Sequence, residues 1–153
     1  MSAATAGASS NRGFWLVVAP ITLVGAGLLV LILTNRPAAE RASEFTARHN
    51  LRISLDAARA IADREGTFAA AGTVAMRAEA SDLAFTDPDL ASNNPEVISV
   101  YATDALWAAA ARAETGACFW IRTDPLGHVE TGRGVDCTGD SASTERPAAW
   151  PSP

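Results

Sequence analysis

The sequence predicts an α+β fold: an N-terminal transmembrane helix continuing into an amphipathic helix packed on a small antiparallel β-sheet. Three observations predict it. Phe14 to Leu33 runs for twenty residues without a charge. Apolar residues then recur at three- and four-residue steps as far as Gly66. Beyond Gly66, short β-branched and aromatic runs alternate with turn residues.

Residues 1–13, MSAATAGASSNRG, are small and polar, the composition of a disordered tail or a leader. The uncharged run that follows would form a helix roughly 30 Å long at about 1.5 Å per residue, the thickness of a bilayer's hydrocarbon core. Pro20, Gly25 and Gly27 lie inside it and are tolerated in membrane helices, and Trp15 suits an interfacial aromatic. The rival reading is a secretory signal peptide, whose apolar region is about 7–15 residues long and ends in a small-x-small site. This run is longer and ends in Leu-Thr-Asn-Arg-Pro, so an anchor spanning 14–35 is expected.

A second helical segment is expected over 36–66. Asn35-Arg36-Pro37 predicts a bend, because proline disfavours helix at the preceding residue, and Gly66 supplies a C-terminal cap. Ala47, Leu51, Leu55, Ala58 and Ala62 form a narrow apolar stripe suited to one face of a sheet. Beside it stand Arg41, Arg48, Arg52 and Arg59, which fall within roughly 40° of each other on a helical wheel. Asp56 and Asp63 lie next to them. The four arginines read first as a solvated face with salt bridges inside the domain. The functional reading is a seam that meets acidic groups of a neighbouring subunit or lipid head groups.

A β domain is expected over 67–140. Thr67 to Asn94 reads as a loop with one or two short elements, and Val97 to Ala102 as a strand by β-branching. Leu106 to Arg112 is ambiguous, since propensity alone makes its alanine run helical. Ala117 to Arg122 is a second strand, Asp124-Pro125-Leu126-Gly127 a turn, and His128 to Thr131 an antiparallel return. Residues 141–153, rich in proline and alanine towards their end, are expected to be a flexible tail.

From Arg36 onward seventeen acidic residues outnumber the arginines, and the whole chain carries a net charge of −5. That argues against a nucleic-acid partner, which would need a basic face. Every basic residue is arginine and about a fifth of the chain is alanine, a bias that a GC-rich genome imposes without functional meaning. Cys118 and Cys137 are the only cysteines. They flank a turn-rich segment and read as a disulfide in an extracytoplasmic domain, worth roughly 3 kcal/mol in the chain-entropy treatment. The arginines oppose this placement, because Arg12 alone precedes the apolar run whereas Arg36 and Arg41 follow it. The cysteines are given more weight, so the domain is expected outside.

No residue is nominated for catalysis, for a cofactor or for a metal. His49 and His128 lack a serine or cysteine partner in an activating motif. Asp87-Pro88-Asp89 lacks the further oxygen ligands of a calcium loop, and Gly132-Arg133-Gly134 lacks the helix start and Lys-Ser/Thr of a phosphate loop.

In this order the segments resemble a type IV pilin or pseudopilin, particularly the small actinobacterial kind. The likeness begins at Gly13-Phe14, where the prepilin peptidase family cuts after glycine. It continues through the apolar helix and the amphipathic helix closed by Glu65-Gly66-Thr67-Phe68. It ends in the sheet segment that carries "CFWI" and the first cysteine, and so covers most of residues 13–140. The resemblance implies processing at Gly13 and Phe14, and an ectodomain held by a single membrane-embedded helix. It also implies assembly with other pilin-like subunits in a pilus or a secretion-related filament, without cofactor or enzymatic activity. The chain departs from the family at Val18, where pilins carry glutamate at the fifth mature position, in having only Arg12 as a basic leader residue, and at Pro20. An unpaired buried N-terminus would cost several kcal/mol, which fits a minor or initiating subunit, or a pilin-like domain on an ordinary anchor. The alternative function is a single-span envelope protein whose exterior domain binds a partner or ligand through Tyr101, Trp107, Phe119 and Trp120. Alternation places Phe119 and Trp120 on opposite faces of their strand.

Overall fold

The computed structural model describes residues 38–150 in full and residues 12–37 as helical backbone only. The chain divides into two units after Ala38, and the description below concerns the second. Helix α1 (Arg12–Glu65) includes Pro37, and the bend expected at Asn35-Arg36-Pro37 lies outside the fully described residues. Among the described residues no helix is long and apolar enough to cross a membrane. The span expected over Phe14–Leu33, the tail or leader of residues 1–13 and the Gly13-Phe14 junction lie outside the fully described residues.

Gly66 ends α1 as expected. Its φ of +80° is the left-handed conformation that favours glycine, and its N–H donates to the Ala62 carbonyl at 2.7 Å. A 3₁₀ turn (Phe68–Ala70) follows, capped by the Thr67 hydroxyl, which accepts from the Ala69 N–H. Then come α2 (Thr73–Glu79) and the short strand β1 (Ala84–Thr86). The remaining strands are β2 (Val97–Ala102), β3 (Trp107–Arg112), β4 (Cys118–Thr123) and β5 (Val129–Gly134), and α3 (Gly139–Thr144) comes last.

The five strands lie in sequence order. From β2 to β5 they pair antiparallel, but β1 pairs parallel with β2, Ala84 opposite Val97. The sheet is therefore mixed, which corrects the expected all-antiparallel arrangement. The ten residues between β1 and β2 return the chain to the same end of the sheet, as a parallel pair requires.

α1 covers one face of this sheet. Ala47, Leu51, Leu55, Ala58 and Ile61 pack with Ile98, Val100, Ala109, Phe119 and Ile121. Burying each large aliphatic side chain contributes about 1.5–3 kcal/mol. Ala62 of the expected stripe is only partly buried. Two polar residues on the buried side of α1 are satisfied: Asn50 donates to the Pro95 carbonyl at 2.8 Å, and Ser54 to the Asn50 carbonyl at 2.8 Å. The opposite face of the sheet holds Ala108, Ala110, Trp120 and the two cysteines beneath Ala142 of α3.

The alanine run is the central strand. Ala109 and Ala111 point to the α1 side, Ala108 and Ala110 to the α3 side, and all four are at most 1% exposed. Helix propensity differs among ordinary residues by at most about 0.7 kcal/mol each. Hydrogen-bonded pairing along both edges of β3 outweighs it, and the small side chains leave room for a layer on either face.

Candidate functional site

The side of α1 that faces β5 gathers four arginines and two aromatic rings. Arg48 stands over the Phe119 ring at 5.6 Å from its centroid, and Arg133 of β5 stands over the same ring at 5.0 Å. Trp150 meets Phe119 edge-on, with centroids 6.4 Å apart, and Arg52 lies 5.3 Å from the Trp150 centroid. Glu44 accepts from Arg133 at 3.1 Å. Arg59, two turns further along, donates to the Gly127 carbonyl at 3.5 Å. Arg41 is exposed. Of the expected seam, Arg48 meets the Phe119 ring and the Glu44 carbonyl, Arg52 the Trp150 ring and Arg59 the Gly127 carbonyl, all within the domain. Cation–π contacts of this partly exposed kind contribute about 0.5–1 kcal/mol each.

Trp150 corrects the expectation of a flexible tail. The Ala148 N–H donates to the Thr131 carbonyl at 2.9 Å, and Trp150 Nε1 donates to the Gly132 carbonyl at 3.1 Å. Residues 146–150 therefore lie along the free edge of β5 and anchor it with an aromatic. Before them, residues 139–144 form α3, which the sequence reading did not find. The available signal was a lone tryptophan among prolines and alanines, since a large ring is costly to leave in water. The other edge of the sheet is blocked by Arg77, which donates to the Phe85 carbonyl at 2.7 Å.

Cys118 and Cys137 form the expected disulfide, with Cα atoms 5.3 Å apart. It ties the start of β4 to the loop that leads into α3. Trp120 lies in the same layer, 1% exposed, and its Nε1 meets no acceptor among the described residues. Phe119 and Trp120 do point to opposite faces, but both are buried, as is Trp107, whose Nε1 donates to the Ala71 carbonyl at 3.2 Å. Tyr101 is half-buried. The aromatic face proposed for recognition is therefore mostly core, because α3 and the disulfide loop cover the side that α1 leaves open.

The turn between β4 and β5 is held by Asp124. Its carboxylate accepts from the Leu126 and His128 N–H groups, both at 3.0 Å, and meets His128 Nδ1 at 2.9 Å. The imidazole contact foremost, with the backbone donors, holds this carboxyl below its usual value. Arg122 pairs with Glu130 across the two strands and stands over Trp120 at 5.2 Å. Among the described residues no group of three or more His, Cys, Asp or Glu side chains could hold a metal. Searches against protein-family models, curated proteins and solved structures find no match to this chain.

Proposed function

We propose that this chain is a membrane-anchored, extracytoplasmic, pilin-like structural subunit of a pilus or secretion-related filament. One observation carries the reading. Along the sequence, the uncharged run Phe14–Leu33 precedes a disulfide-stapled α+β domain whose helical layer is the 38–65 part of α1. In a subunit of this kind the lipid bilayer holds the apolar segment before assembly, and sister subunits hold it afterwards. The role is structural rather than catalytic, and the chemistry it needs is apolar packing. The ligand-binding alternative named four aromatic residues, of which Trp107, Phe119 and Trp120 are buried and Tyr101 is half-buried.

The test is fractionation of the producing cells. Surface appendages sheared from intact cells should contain this chain together with other pilin-like subunits, and the remainder should sediment with the membrane. Recovery of the whole pool as a soluble monomer would defeat the proposal.

A further inference from the structure

The solvent-facing crest of α1 carries large side chains in register. Phe45 is 57% exposed and Ile53 39%. The Phe45 ring stacks on His49 with centroids 5.9 Å apart and planes 7° from parallel. Four-residue spacing places Phe45, His49 and Ile53 one above another. The two flanks of this crest differ in charge. On the β5 side stand Arg41, Arg48, Arg52 and Arg59. On the other side runs a groove of about 580 Å³, lined by Glu79, Asp82 and Glu96, with Asp56 between it and the arginines. Glu79 is engaged by Arg64 at 3.1 Å. Among the described residues, Asp56, Asp82 and Glu96 enter no ion pair, and neither do Arg52 and Arg59.

We propose that this crest is a self-association surface, on which the α1 helix of a second copy of this chain packs in parallel. The charges choose both the partner and the direction. About a two-fold axis running along parallel helices, the arginine flank of each copy faces the acidic flank of the other. Antiparallel helices would set arginine against arginine and carboxylate against carboxylate, which is penalised. The crest supplies the apolar centre and the flanks the charged rim, the layout of an isologous interface. The flanks are matched in height, because the groove is lined by α1 residues from Thr46 to Ala60 and the arginines span Arg41 to Arg59. The pairing goes beyond the proposed function and stands on this surface alone, whether or not the chain enters a filament.

The full chain in detergent micelles tests it. Phe45→Cys alone and Ile53→Cys alone should each give covalent dimers on mild oxidation, since parallel crests bring like positions together. Association of the unmodified chain, followed by sedimentation, should weaken about tenfold on Asp82→Arg or Arg52→Glu and return when both are combined in one chain. Asp82 is exposed, so its substitution leaves the fold intact; unchanged near-ultraviolet dichroism checks this for both. Cross-linking only in a mixture of the Phe45→Cys and Ile53→Cys chains would mean antiparallel helices and overturn the proposal. So would a monomeric chain, or association indifferent to the charge reversals. The subunit role is read from sheared appendages instead, so the two ideas fail separately.

Discussion

Replacing Cys118 and Cys137 together by alanine removes the covalent link between β4 and the loop before α3. The two residues are 19 apart in sequence, and freeing a loop of that length costs about 3 kcal/mol through the entropy of the unfolded chain. Both cysteines are buried, at 4% and 1% exposure, so alanine is preferred to serine. A buried hydroxyl without a partner would add about 1–3 kcal/mol of its own. Against a total of about 5–15 kcal/mol for a domain of this size, the loss is large, on the order of 10–20 °C in Tm. Urea denaturation followed by tryptophan fluorescence reads it directly, because Trp107, Trp120 and Trp150 all lie in the domain. The oxidised protein should unfold at higher urea than the double variant, and reductant should bring the parent protein down to the variant. A difference below about 1 kcal/mol would show that the loop is already ordered without the link, and would refute the entropy reasoning.

Three other outcomes are expected. Gly132→Ala should cost about 1–3 kcal/mol by overpacking, since an added Cβ would run into the Trp120 indole opposite it; an unchanged denaturation midpoint would mean that the ring moves freely. Trp150→Ala should cost about 1–2 kcal/mol through the lost ring contacts and hydrogen bond, and should make residues 145–150 sensitive to protease. Equal cleavage rates in parent and variant would count against Trp150 anchoring residues 146–150 along β5. The Asp124 carboxyl is held below its ordinary value of 3.8, chiefly by His128. Its contribution to stability is therefore present above that value and is lost as pH falls through the lower folded-state value. Asp124→Asn should lower Tm at neutral pH and flatten its fall below about pH 4; parallel acid profiles for the two proteins would contradict this.

Local signals were readable and long-range ones were not. Gly66 ended α1, Val97 to Ala102 formed the strand its β-branching indicated, and Asp124 to Gly127 made the hairpin turn. Each of these rests on the conformational preference of a few adjacent residues. Leu106 to Arg112 stayed ambiguous because alanine favours helix in isolation, and only the strands on both sides make it a strand. The parallel pairing of β1 had no local mark, since three residues hold it and its partner lies across a loop. The segment of residues 146–150 along β5 was hidden for a related reason, as Trp150 finds Phe119, Arg52 and Gly132 only once the sheet exists. Of the site, Arg48, Arg52 and Arg59 meet ring faces and a carbonyl of the domain. The sequence could not supply these partners, and although alternation placed Phe119 and Trp120 on opposite faces, it did not show that α3 covers the second face.

The most direct measurement is the intact mass of the chain isolated from its native membrane, with alkylation before and after reduction. Loss of residues 1–13, leaving Phe14 as the N-terminus, with alkylation only after reduction, is the predicted result for a processed pilin-like subunit with its disulfide domain outside. An untrimmed N-terminus would contradict processing, and thiols alkylated without reductant would contradict the extracytoplasmic placement.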